Sequence, residues 1–182
     1  MYREVVKGAK SLFRIAYSLP SIWVAYKLGR LSGAITASAI ESMGLDGRDY
    51  RFRLHDDMEL GFLLNCLLMR IYLDLRSDGK VDVVGVRYED LVSEPHESIR
   101  RIIEYCRLPA ELVEPGVKGL EVDSQRNSVI AKSIIGSLPE PELTPESIFR
   151  GNELLKKNGL PLIGEEFVLD GTITYQKKAT DG

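Results

Sequence analysis

Four consecutive residues, Arg87-Tyr88-Glu89-Asp90, place a guanidinium, a phenol and two carboxylates at one point of the chain. They follow Val81-Asp82-Val83-Val84-Gly85-Val86, an apolar run rich in β-branched residues and too short to span a membrane. Such a run reads as a strand buried on both faces, as in parallel sheets. Asp78-Gly79 supplies a turn before it. After the polar cluster, Ser93-Glu94-Pro95 opens a helix whose apolar stripe is Ile99, Ile102, Ile103 and Cys106. Strand, polar tip and helix make half of a βαβ unit. Ligands of open α/β sheets bind beyond the carboxyl ends of strands, where residues 87–90 would lie.

Other chemistry-bearing residues are sparse. His55 and His96 form no metal-ligand cluster, and no metal site is expected. Cys66 and Cys106 fall on apolar helix faces and read as two buried thiols.

The elements that must position these residues are mainly helical. Val6, Ala9, Leu12, Phe13, Ala16 and Tyr17 recur at helical spacing within residues 5–27, which Pro20 breaks into two pieces. Residues 34–43 read as a further helix. Leu60, Leu63, Leu64, Leu67, Leu68, Ile71 and Tyr72 form one face of a long helix over residues 56–76, with Asp56 or His55 as its cap. Residues 112–118 read as a short helix. Thr144 and Pro145 start a last helix, which ends at Asn158-Gly159, with Ile148, Phe149, Leu154 and Leu155 turned inward.

The strand ending Val-Arg-Tyr-Glu-Asp-Leu, with the amphipathic helix that runs to Tyr105-Cys106-Arg107-Leu108-Pro109, resembles the sulfotransferase family. Those enzymes transfer a sulfonate group from 3′-phosphoadenosine 5′-phosphosulfate to a hydroxyl or amine. The resemblance implies an α/β fold: a P-loop-NTPase-like, mainly parallel sheet flanked by helices, with the strand over residues 81–87 at its centre. It also implies site residues. Arg3 and Ser11, eight residues apart, match the family's arginine and serine that bind the 3′-phosphate of the nucleotide. A guanidinium fork bonds phosphate bidentately, and a hydroxyl adds a donor. Tyr88 matches the residue that contacts adenine, where a ring can stack on the purine. Glu89 and Asp90 fit acceptors for Arg87 or for helix N–H groups, because a carboxylate beside a phosphosulfate would repel it.

Two family parts are not matched. No Gly-x-x-x-x-Gly-Lys-Ser/Thr loop or close relative occurs to cradle the phosphosulfate, and neither histidine sits where the family's general base lies. No catalytic residue is therefore assigned. The match implies a domain incomplete at its N-terminus, over residues 1–176, with residues 177–182 a polar tail. The function implied is sulfonate transfer, inactive in these residues alone. The alternative is a non-catalytic pseudoenzyme or interaction module on the same scaffold. A polar loop over residues 122–128 stands where the family closes over the nucleotide; Arg126 supplies a charge there but not the family's Arg-Lys-Gly triplet.

Composition sets the remaining bounds. The chain has 182 residues, 44% hydrophobic and 28% charged, with net charge −3 and a pI near 5.5. This is enough for one domain with a core, and it argues against a protein held to nucleic acid by a basic surface. Lys27 and Arg30 interrupt the apolar stretch over residues 18–40, which argues against a membrane span. The start carries no leader-like segment, which favours the cytoplasm. The partners expected are the nucleotide donor and a small-molecule or glycan acceptor; the sequence leaves the acceptor and the oligomeric state open.

Overall fold

Helix dominates the protein. In a computed structural model that describes residues 3–42, 44–79, 81–122 and 136–173, helix accounts for 63% and strand for 2%. The described residues hold no sheet. The expected α/β, P-loop-NTPase-like architecture with its mainly parallel sheet is therefore corrected. Its central strand, residues 81–87, is not helical, and within it Gly85 and Arg87 are bridge residues, Gly85 pairing in parallel with Thr172. The Gly85 N–H donates to the Gly171 carbonyl at 3.0 Å, and the Ile173 N–H donates to the Gly85 carbonyl at 2.9 Å. Valine content favours extended backbone, but a sheet also needs neighbouring strands, and local composition cannot supply them.

Among the described residues the α-helices are α1 (Val5–Ser18), α2 (Pro20–Gly29), α3 (Gly33–Glu41), α4 (Asp57–Asp78), α5 (Tyr88–Ser93), α6 (Pro95–Tyr105), α7 (Val113–Gly119) and α8 (Pro145–Lys157). Pro20 and Pro95 each stand in the first turn of a helix, where a missing N–H costs nothing. The Asp56 side chain accepts the Glu59 N–H at 2.8 Å, capping α4. Thr144 and Ser147 cap α8 reciprocally. Gly159, at φ +66°, adopts the left-handed conformation just beyond the end of α8.

The chain divides into two compact units. The first comprises Met1–Glu4, Ile71–Val122 and Phe167–Gly182. Within it, α5, α6 and α7 pack in succession, with Leu91, Ser98 and Ile103 buried. The Ser98 hydroxyl is shared between the Asp90 carbonyl at 3.0 Å and the Glu94 carbonyl at 2.7 Å, tying α5 to α6. Arg76 is its second anchor: its guanidinium bonds Asp170 at 2.7 Å and the Val83 carbonyl at 3.2 Å. The Tyr72 hydroxyl adds a bond to the Asp170 carbonyl at 2.7 Å. The helix end thus holds both segments of the Gly85–Thr172 bridge.

The second unit comprises Val5–Arg70 and Asp123–Glu166. Its core gathers Val5, Ala9, Phe13 and Ala16 of α1, Met58, Phe62 and Leu63 of α4, and Leu155 of α8, each at most 3% exposed. Gly61 lets α1 approach α4, since a Cβ there would lie 2.8 Å from the Ala9 carbonyl carbon. Asn65 is also buried; its amide donates to the Val5 carbonyl at 3.1 Å. Several positions expected on buried faces are exposed instead, among them Tyr17, Leu68, Val81, Phe149 and Cys106. Phe149 is exposed, because α8 turns Leu154 and Leu155 inward on another face. Cys106 is exposed at the end of α6, and Cys66 is buried as expected. The polar loop with Arg126 and the tail over residues 177–182 lie outside the described residues.

Candidate functional site

α5 begins at Tyr88, directly after extended Arg87, so the Arg87–Asp90 cluster occupies a strand-like end and the first helical turn. Glu89 and Asp90 there suit the positive end of a helix dipole. Arg87 lies 3.8 Å from the Asp90 carboxylate.

Arg3 meets this turn. Its guanidinium carbon lies 3.7 Å from the centre of the Tyr88 ring, well within cation–π range. Glu89 fixes the neighbouring peptide: its Oε1 accepts the Glu4 main-chain N–H at 3.1 Å. The other carboxylate oxygen, Oε2, is shielded from solvent and has no hydrogen-bond partner. The result is a guanidinium spread over an aromatic face. Such a pair can give N–H donors to an anionic group and an aromatic edge or face to a planar one.

The residues expected to hold a nucleotide fall in both units. Arg3 and Tyr88 touch within the first unit. Ser11 lies half-buried on α1 among residues of the second unit. His55 precedes α4, and His96, in the first turn of α6, lies 3.4 Å from Glu114 on the surface. Among the described residues no cluster of His, Cys, Asp and Glu is arranged to hold a metal ion.

The second unit carries a charged site that the sequence does not signal. Arg150 of α8 bonds Asp56 at 2.7 Å and Glu146, and its Nε stands 3.7 Å from Glu59. Glu59 is 3% exposed, and burial pushes its carboxyl up from the ordinary range. Glu59 and Arg150 border a cavity of about 600 Å³ that Phe52 and Leu154 also line. Arg150 is surrounded by acids, so the cluster ties α8 to the start of α4, while its Nε is shielded from solvent and has no hydrogen-bond partner. Asp56 and Glu59 are about ninety residues away in sequence, which hides the grouping from any local pattern.

Among known proteins, the chain matches no family model, no curated protein and no solved structure. No described helix is long and apolar enough to cross a membrane.

Proposed function

We propose that this chain supplies part of the nucleotide site of a sulfotransferase, with Arg3 and Tyr88 taking the 3′-phosphoadenosine end of 3′-phosphoadenosine 5′-phosphosulfate. The observation that supports this reading is the Arg3 guanidinium stacked on Tyr88. Two residues separated by more than eighty positions, both matched to nucleotide contacts by resemblance, lie against each other. The reading rests on that pair and not on the sheet architecture, which is absent from the described residues.

The roles follow from the chemistry. Arg3 gives a phosphate a fixed fork of N–H donors and a positive charge. Tyr88 offers a π-surface to the purine and covers one face of the guanidinium, which shields it from water and strengthens its bonds to an anion. Neither residue can neutralise a leaving phosphate or take a proton from an acceptor. Transfer by residues 1–182 alone is therefore not part of the proposal.

Titration calorimetry tests it. Adenosine 3′,5′-bisphosphate should bind more tightly than adenosine 5′-monophosphate. The difference is a charge-assisted contact of about 1.5–3 kcal/mol, roughly a tenfold or larger preference. Arg3→Ala should erase the preference, and Tyr88→Ala should weaken both nucleotides and the bisphosphate the more, because it also removes the ring that Arg3 lies on. Equal affinity for the two nucleotides, unchanged by Arg3→Ala, would overturn the reading.

A further inference from the structure

We infer that Glu89 is a positioning residue that holds Arg3 on the Tyr88 ring. The inference rests on the reading of Arg3 and Tyr88 above and deepens it.

Arg3 has a long side chain with many rotamers, and a stack on one ring does not by itself fix the backbone that carries it. The Glu89 carboxylate does so. Its Oε1 accepts the Glu4 N–H at 3.1 Å, and that N–H belongs to the peptide joining Arg3 to Glu4. Glu89 also follows Tyr88 directly, in the first turn of α5. The bonds therefore close a ring: Tyr88 face, Arg3 guanidinium, Arg3–Glu4 peptide, Glu89 carboxylate, and back through the α5 backbone to Tyr88. The stack at 3.7 Å and the hydrogen bond from the Glu4 N–H to Glu89 at 3.1 Å are two ends of one clamp.

The state of the carboxylate supports a positioning role. Its Oε2 is out of solvent with no hydrogen-bond partner, an unfavourable place for a charged oxygen. The bond to Glu4 is what the side chain gains in return. A carboxylate also repels a phosphate, so Glu89 belongs behind Arg3 rather than in contact with the ligand. This gives an asymmetric expectation. Glu89→Gln keeps an acceptor for the Glu4 N–H and removes the negative charge, so it should retain Arg3 in place and leave the preference for a 3′-phosphate equal or greater. Glu89→Ala should release Arg3.

The experiment reads Arg3 directly in the ligand-free protein. Nuclear magnetic resonance of the Arg3 side chain reports the stack, because protons over the Tyr88 ring are displaced to high field by its ring current. The displacement should persist in Glu89→Gln and vanish in Glu89→Ala. Glu4→Pro, which deletes the donor and leaves Glu89 intact, should also abolish it, and the double variant should add nothing. The bisphosphate preference should fall about tenfold, equivalent to 1.4 kcal/mol, in Glu89→Ala and not in Glu89→Gln. Arg3 signals that stay displaced in Glu4→Pro would overturn the inference, even if Glu89→Ala failed to fold. A wild type without nucleotide preference, whose Arg3 is still released by Glu4→Pro, would refute the nucleotide reading and support the positioning role.

Discussion

Replacing Gly61 by alanine tests the packing of α1 on α4. The new Cβ would lie 2.8 Å from the Ala9 carbonyl carbon and 3.2 Å from its Cα. Both are backbone atoms, so no rotamer change relieves the overlap, and the helices must part by several tenths of an ångström. That seam carries Ala9 at 0% and Val5 and Phe13 at 1% exposure. A gap of about half an ångström or more forfeits roughly a quarter of each affected contact. Overpacking of this kind costs about 1–3 kcal/mol, and a rigid obstacle places this case in the upper half. Alanine returns at most about 1 kcal/mol in a helix interior. The net loss is then about 1–2 kcal/mol, or a fall in melting temperature of roughly 2–8 °C for a chain of this size. Urea unfolding followed by circular dichroism should show a lower midpoint with an unchanged slope. Gly119→Ala is the control: no atom lies within 4 Å of its Cβ, so stability should hold or rise slightly. A Gly61→Ala protein as stable as the wild type would refute the close approach of the two helices.

The cysteines should differ in reactivity. Burial pushes the Cys66 thiol up to about 12, whereas Cys106 is exposed, so a maleimide should label Cys106 in the native protein and both only after denaturation. Native labelling of Cys66 would contradict its placement in the core. Glu97 is held down to about 2, from an ordinary 4.5, by side-chain bonds from Arg100 and then Arg101. Its folded pKa is depressed, so its contribution to stability is present above about pH 4.5 and is lost as pH falls toward 2. Carboxyl-carbon titration should move its midpoint back toward 4.5 in Arg100→Gln/Arg101→Gln, and an unmoved midpoint would mean that the arginines are not its partners in solution.

Local chemistry made the helices legible. Pro20 divides the first helical stretch because a proline interrupts an interior and is tolerated in a first turn. Thr144-Pro145 and Asn158-Gly159 mark α8 at both ends for similarly local reasons. That the described residues would hold no sheet was not legible, because pairing is a property of two segments. The valines of residues 81–86 state that the backbone should be extended and say nothing of which strands lie beside it. Phe149 and Cys106 show a related limit. Both sit on helices with apolar stripes, yet a stripe wider than the neighbouring surface leaves some of its members in solvent.

The candidate site divides along the same line. Tyr88, Glu89 and Asp90 are adjacent in sequence, and their shared helical turn follows from that adjacency. The partner of each could not be read locally. Arg3 reaches Tyr88 and the Glu4 peptide reaches Glu89 across eighty-five positions of chain, and nothing local to any of these residues marks its partner. Resemblance named Arg3 and Tyr88 as contacts to two ends of one nucleotide, so it placed them near each other without joining them. The structure adds a direct stack, and the stack changes the physics of both residues. A guanidinium lying on an aromatic face is less hydrated and less mobile than one in water, so less is lost when it orders around an anion. The same stack occupies one face of Tyr88. A purine bound there must then use the opposite face or the ring edge, and the phosphate-binding and purine-binding contributions become coupled. Arg3→Ala and Tyr88→Ala should consequently be non-additive in binding adenosine 3′,5′-bisphosphate, whereas two independent contacts would add.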